Sequence, residues 1–103
     1  MESFYELENI LSAIGKDEYF SEFLRTKSLD AGIIRLLEGQ LDTQSMHSMD
    51  ELYYVIEGRG LIDVNGKSHI INKGSLVFIP ASTQHRFYGN KGEMIVLYIF
   101  AKS

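Results

Sequence analysis

The sequence has no cysteine, no tryptophan and a single proline. Without cysteine it cannot build a disulfide framework, a thiolate metal site or a cysteine nucleophile. No apolar run approaches the roughly 18 residues that a membrane-spanning helix needs, so we expect no membrane partner. The first ten residues carry early acidic side chains instead of a basic segment followed by an apolar one, which argues against a signal peptide. These absences favour a cytoplasmic protein.

Charge and composition further limit the class of protein and its expected partners. Ten Lys and Arg residues stand against fourteen Asp and Glu residues, giving a net charge of −4. The basic residues are scattered along the chain, so nucleic acid is not an expected partner. Apolar residues make up 45% and charged residues 23% of the 103 positions. These proportions are those of an ordinary globular protein, and the length predicts one domain.

Only the N-terminal stretch has helical periodicity. Apolar residues fall at i, i+3, i+4 and i+7 at Leu7, Ile10, Leu11 and Ile14. Ser3 and Glu6 have the spacing of a capping box, and Gly15 is placed to end the helix. The pattern predicts a helix over about 4–14 in an N-terminal segment 1–18, which would seal the rest of the fold or a dimer seam.

From residue 19 onward the pattern is that of short strands between compact turns. Ser28–Ala31 is interpreted as a turn, and Asn65-Gly66 between two apolar runs predicts a type I′ hairpin. The strands are predicted at 19–26, 32–37, 52–56, 61–64, 67–71, 75–79, 85–88 and 94–100. Since no helix separates them, the fold is expected to be all-β, as an antiparallel sandwich, barrel or jelly roll over 19–103.

The chain has three histidines, and two of them open predicted strands. His47 precedes Glu51 by four positions, and His85 follows a turn that contains Pro80. Two imidazoles and one carboxylate suit a divalent ion such as Fe, Mn, Ni or Zn. A hydrogen-bonded polar cluster without metal is the alternative. His69 lies in the predicted hairpin and is interpreted as structural.

Residues 39–58 and 74–89 resemble the two motifs of the cupin superfamily. Matching positions carry the motif residue at the motif spacing: Gly39, His47, Glu51 and Gly58 in the first motif, and Gly74, Pro80 and His85 in the second. Three positions depart from the motifs. Ser45 stands where the first motif has another histidine, Ser82 replaces a glycine, and Gly89 stands where an asparagine is expected, with Asn90 one step late.

The resemblance implies a small single-domain jelly-roll barrel with a divalent metal at its mouth. His47, Glu51 and His85 are the ligands that it implies for this chain. Ser45 or Gln44 is a possible fourth position, and the carbonyl of Gln84 is a further alternative. Cupins are commonly homodimers, and exposed sheet edges need protection, so a homodimer is expected.

The expected substrate pocket follows from side-chain alternation along the strands. Tyr53, Val55 and Phe87 share the parity of the metal ligands, and Phe78 and the strand 94–100 are expected to complete the lining. Arg35 is a candidate anion partner in the same pocket. The favoured hypothesis is a metalloenzyme of dioxygenase or isomerase type that acts on a small organic molecule. The alternatives are a non-catalytic ligand-binding or sensing barrel and a metal-free epimerase-type enzyme.

Overall fold

The computed structural model describes residues 3–44 and 46–102, in which one short helix precedes eight strands. The elements are α1 (Leu7–Ser12), β1 (Phe20–Arg25), β2 (Leu29–Leu36), β3 (Asp50–Glu57), β4 (Arg59–Val64), β5 (Lys67–Asn72), β6 (Leu76–Ile79), β7 (His85–Tyr88) and β8 (Met94–Ala101). Neighbouring strands pair antiparallel throughout the described part of the chain.

The strands form two sheets that enclose one core. The larger sheet has the order β1-β2-β8-β3-β6, and the smaller one has the order β5-β4-β7. Alternate residues of each sheet point inward and meet those of the other sheet, as in a jelly roll. The buried cluster between the sheets consists of Ile34, Leu36, Tyr53, Val55, Ile62, Ile71, Ile79, Phe87, Met94, Val96 and Tyr98. The predicted all-β jelly roll is therefore confirmed.

The hairpin between β4 and β5 has the predicted turn. Asn65 and Gly66 have φ angles of 55° and 86°, and positive φ at both central residues is the mark of a type I′ turn. The Gly66 N–H also donates to Oδ1 of Asp63 at 2.8 Å. The sequence signal works here because it depends on the two turn residues alone.

The turn predicted at Ser28–Ala31 is wrong, because β2 already begins at Leu29. The chain instead reverses between Thr26 and Leu29, where the Thr26 N–H donates to the Leu29 carbonyl at 2.8 Å. Asp30 is buried inside the strand, and Nζ of Lys102 lies 2.8 Å from its carboxylate. Lys102 is far from Asp30 in the sequence, and its charge stabilises the buried carboxylate within the strand. The local sequence predicts a turn there because it contains no sign of this partner.

The helix is shorter than predicted. It covers Leu7–Ser12, its N-cap Glu6 makes no side-chain capping bond, and it ends before Gly15. Its apolar residues are half-buried, whereas Ile14, just beyond its end, is buried. Without the capping bond, residues 4–6 of the first predicted turn are not stabilised in helical form. No helix in the described ranges is long and apolar enough to cross a membrane.

Gly32 lies on the inner face of β2, where it leaves room for the ring of Tyr98. A Cβ atom at position 32 would overlap the phenol of Tyr98. Tyr98 is 5% exposed and belongs to the core cluster, so its ring has little space into which to move. Gly32 is therefore required by close packing.

We expect Gly32→Ala to lower the free energy of unfolding by about 1–3 kcal/mol, because an added methyl group overpacks the core. Urea denaturation measures this loss. The double variant Gly32→Ala/Tyr98→Leu should lose less than the sum of the two single variants, because the smaller side chain makes space for the new methyl group. Additive losses would contradict the proposed contact.

Candidate metal centre

The two sheets and one loop bring His47, Glu51 and His85 together. His47 lies in the loop before β3, Glu51 is the second residue of β3, and His85 is the first residue of β7. Glu51 thus comes from the larger sheet and His85 from the smaller one. One potential ligand atom of each residue lies within 4.8 Å of the others.

Two hydrogen bonds hold the loop of His47 and the start of β3 against the turn before β7. The Ser82 N–H donates to the His47 carbonyl at 2.7 Å, and the Ala81 N–H donates to Oδ1 of Asp50 at 2.8 Å. Ser82 has a φ angle of 62°, in the left-handed region that favours glycine. This conformation explains why the cupin motif has glycine at this position, and the bond to His47 offsets its cost here.

Glu51 and His85 face one another inside the protein. Oε1 of Glu51 lies 3.1 Å from Nε2 of His85, and their side chains are 2% and 1% exposed. The other ring nitrogen of His85, Nδ1, lies 2.9 Å from the Thr83 carbonyl, to which only an N–H can donate. In the neutral ring, Nε2 therefore turns a lone pair toward the carboxylate.

Neither of these two facing atoms makes a hydrogen bond within the described residues. Two buried acceptor atoms at this distance repel each other unless a positive charge lies with them. That charge is either a proton on His85 or a metal ion. The donor set is therefore suited to a divalent cation, and a fixed N–H···O=C bond on the far side of the ring is the usual support of a metal-binding histidine.

The pKa of His85 also depends on these neighbouring groups. Burial has the largest effect and lowers this pKa, but the contact with Glu51, the Thr83 carbonyl and the charges of Glu51 and Asp42 together raise it by more. The pKa of His85 therefore lies above its ordinary value, so that this position favours a cation.

His47 completes the group from the loop side. Its side chain is half-buried and packs edge-on against Phe100, with ring centroids 4.6 Å apart. The centroids of the His47 and His85 rings are 5.6 Å apart. Nε2 of His47 lies 3.5 Å from Oε1 of Gln44, so this glutamine also reaches the site.

Asp42 contacts the candidate site, and the sequence gives no sign of this. Its Oδ2 accepts hydrogen bonds from Gln44 Nε2 and from the Phe87 N–H, both at 2.7 Å. Its Oδ1 accepts from the Gln44 N–H and from the Tyr19 hydroxyl, both at 3.2 Å. Asp42 thereby connects the loop before β3 to Tyr19, which precedes β1, and to β7. No local motif around Asp42 indicates these distant partners.

Tyr53 approaches the site from the core. Its hydroxyl donates to Gln44 Oε1 at 3.1 Å, and its ring packs against Phe87 with centroids 4.8 Å apart. Burial first, then the charge and contact of Glu51, raises the pKa of Tyr53 well above its ordinary value. Tyr53 is consequently a stable hydrogen-bond donor and a poor general acid.

Two cavities border the group of ligands. The smaller has a volume of about 90 Å³ and is lined by Tyr19, Phe20, Ile34, Gln44, His47, Glu51, Tyr98 and Phe100. The larger has about 390 Å³ and is lined by Gln44, Met46, Asp63, Gly66, Gln84, His85 and Arg86. Gln44 lines both cavities. Of the three potential metal ligands, His47 and Glu51 border the smaller cavity and His85 borders the larger one.

Of the predicted pocket residues, only Tyr98 and Phe100 of β8 border one of these two cavities. Tyr53, Val55 and Phe87 are at most 1% exposed and belong to the core instead of a cavity wall. Phe78 is 59% exposed, because it pairs with Leu52 on the outer side of the sheet. The expectation that Phe78 lines the interior is therefore corrected.

Arg35 also lies away from the predicted pocket. Its neighbours Ile34 and Leu36 both belong to the core cluster. Because side chains alternate along a strand, the half-buried Arg35 points to the opposite face of β2. Of the proposed fourth positions, Gln44 reaches the ligands, Gln84 lines the larger cavity, and Ser45 lies outside the described residues.

The actual lining of the small cavity is aromatic. Tyr98 and Phe100 come from the last strand, as the alternation predicts, whereas Tyr19 and Phe20 come from the entry to β1. The aromatic composition of residues 19–23 was a visible signal of a strand. It carries no information on which cavity that strand borders.

A family profile described as the cupin domain matches residues 32–100. This match covers well over half of the chain, and it includes all three potential ligands. The chain therefore belongs to the cupin family.

The chain is also similar to curated proteins and to solved structures. An uncharacterised protein of Streptomyces coelicolor is 33% identical over 85 residues, which is 82% of this chain and 81% of that protein. An acireductone dioxygenase of Alcanivorax borkumensis is 36% identical over 59 residues, covering 52% of this chain and 33% of the enzyme. The plu4264 protein of Photorhabdus luminescens superposes with a TM-score of 0.83 at 18% identity, over 100% of this chain and 90% of its own.

We expect Tyr53→Phe to lower the free energy of unfolding by about 1 kcal/mol, because Gln44 Oε1 loses its hydroxyl donor. The matched control is Tyr54→Phe on the outer face of the same strand, where the side chain is 40% exposed. That control should change stability by less than about 0.5 kcal/mol. Equal losses for the two variants in chemical denaturation would contradict the role of the buried hydroxyl.

Proposed function

We propose that this protein is a metal-dependent enzyme that acts on a small organic molecule. The observation that carries the proposal is the buried pair of Glu51 Oε1 and His85 Nε2, 3.1 Å apart and without hydrogen bonds among the described residues. His47 adds a third donor atom within 4.8 Å. A divalent ion satisfies all three at once.

Nitrogen and oxygen donors limit the choice of metal. Two imidazoles and a carboxylate with open positions suit Fe, Mn, Ni or Zn. Such an ion supplies Lewis-acid polarisation of an oxygen group and, for a redox-active metal, a place for dioxygen. The chain itself contributes the carboxylate of Glu51, the fixed ring of His85 and an aromatic wall that excludes water.

The expected substrate is a small molecule that carries neighbouring oxygen atoms, such as an enediol. Two similar curated proteins are named acireductone dioxygenase, at 32% and 36% identity over about half of this chain. The cavity beside Glu51 and His47 has about 90 Å³ and no cationic side chain in its lining. These features favour a compact substrate held by the metal over one held by an ion pair with the protein.

We expect the purified protein to bind one divalent ion per chain after reconstitution with Fe, Mn, Ni or Zn, as measured by elemental analysis. His47→Ala and Glu51→Gln should each reduce tight binding, because each removes a donor from the site. His69→Ala is the matched control, since His69 is an exposed residue of β5. Absence of bound metal in the wild type with all four ions would overturn the proposal.

Turnover is tested by dioxygen uptake and product analysis with a panel of enediols and diketones. We expect activity from the metal-loaded protein, loss after chelation and recovery when metal is restored. Activity that survives chelation would favour acid–base catalysis by His85 and Glu51, whose contact can hold a proton in place of the metal. Tight ligand binding without turnover across the panel would favour a sensing barrel.

We also propose that the protein forms a homodimer. Cupins are commonly homodimers, and β5 and β6 lie at the edges of their sheets in the described part of the chain, where a second copy could cover them. Light scattering coupled to size-exclusion chromatography distinguishes the dimer from a monomer.

A further inference from the structure

We infer that Gln44 supplies a fourth protein ligand through Oε1, and that Asp42 fixes which end of its amide faces the metal. The inference rests on the proposed metal site. It assigns to Gln44 the place that the first motif histidine has in other cupins, although the two residues differ by one position along the chain.

The hydrogen bonds identify the orientation of the amide. Gln44 Nε2 donates to Asp42 Oδ2 at 2.7 Å, and Gln44 Oε1 accepts from the Tyr53 hydroxyl at 3.1 Å. A carboxylate can only accept, so Asp42 holds the amide nitrogen away from the ligand group. The Tyr53 hydroxyl, which can donate or accept, then donates to the oxygen that faces it.

The oxygen retains one lone pair. An amide oxygen has two acceptor positions, of which Tyr53 uses one. The remaining neighbour is Nε2 of His47 at 3.5 Å, at the upper limit for a hydrogen bond. Two ligand atoms bound to one ion at about 2.1 Å lie about 3.0 Å apart at a right angle and about 3.4 Å apart in a tetrahedron. The observed spacing is thus close to that of two donors sharing a cation.

Asp42 acts as a positioning residue. Its carboxylate accepts from four donors, which belong to Tyr19, Gln44 and Phe87. Reversing the Gln44 amide would place its oxygen against this carboxylate and its NH2 group against the metal. The cost of that arrangement keeps the oxygen in the site.

Chelator competition with Co²⁺, Zn²⁺ and Mn²⁺ measures affinity, and the visible absorption of the Co²⁺ protein reports the donor set. Gln44→Met replaces the glutamine with a side chain of similar length that has no amide oxygen. We expect the affinity to fall about 10- to 100-fold and the Co²⁺ spectrum to change. The matched control is Gln40→Met, because the Gln40 amide bonds the Leu37 N–H and the Glu18 carbonyl and lines neither cavity; it should change neither measurement. Circular dichroism and thermal melting confirm that each variant is folded.

The role of Asp42 is tested by removing its carboxylate. In Asp42→Ala the Nε2 of Gln44 loses the acceptor that orients it, so the Gln44 amide can reverse; affinity should fall and the Co²⁺ spectrum should resemble that of Gln44→Met. In Asp42→Ala/Gln44→Glu the carboxylate at position 44 presents an oxygen to the site in either orientation. We expect this double variant to recover at least part of the affinity, which a purely structural role of Asp42 does not predict.

The outcomes separate the inference from the proposed function. Wild-type protein that binds metal, together with folded Gln44→Met of unchanged affinity and spectrum, would overturn the role of Gln44 and leave the metal site standing. A folded Asp42→Ala variant with wild-type affinity and spectrum would overturn the positioning role. Wild-type protein that binds none of the three ions would overturn both the site and the inference.

Discussion

The requirement for a positive charge between Glu51 and His85 is the constraint on which the site depends. A carboxylate oxygen and a ring nitrogen, contributed by opposite sheets, meet at 3.1 Å where water is excluded. Burial of these two groups is unfavourable until a proton or a metal ion joins them. The surrounding barrel holds the two groups in contact. A cation between them is therefore favoured for as long as the barrel is folded.

The loop between β2 and β3 is tied to this pair by a second set of contacts. Asp42 accepts the Phe87 N–H from β7, while the His47 carbonyl accepts the Ser82 N–H. The same loop presents Gln44 and His47 to the pair. The irregular segment of the chain is consequently positioned by hydrogen bonds to backbone groups, which suits a site that must hold its geometry.

Much of the fold could be predicted from sequence because it depends on local signals. Alternation and turn residues were sufficient for eight strands and for the Asn65-Gly66 turn, and motif spacing was sufficient to select the three residues that the structure brings together. Phe78 and Arg35 were misplaced because inward and outward positions differ by one residue along a strand. Asp42 was missed because its partners lie up to 45 positions away.

The position of Gln44 between the two cavities has a further consequence for access. His47 and Glu51 border the small aromatic space, whereas His85 borders the larger polar one, and the Gln44 side chain forms a wall common to both. A ligand in the centre therefore has two distinct surroundings, one apolar and one polar. With the proposed ion in place, this partition would let a small reactant and a larger polar one approach it from different sides, and the side-chain length at position 44 would determine how separate the two approaches are.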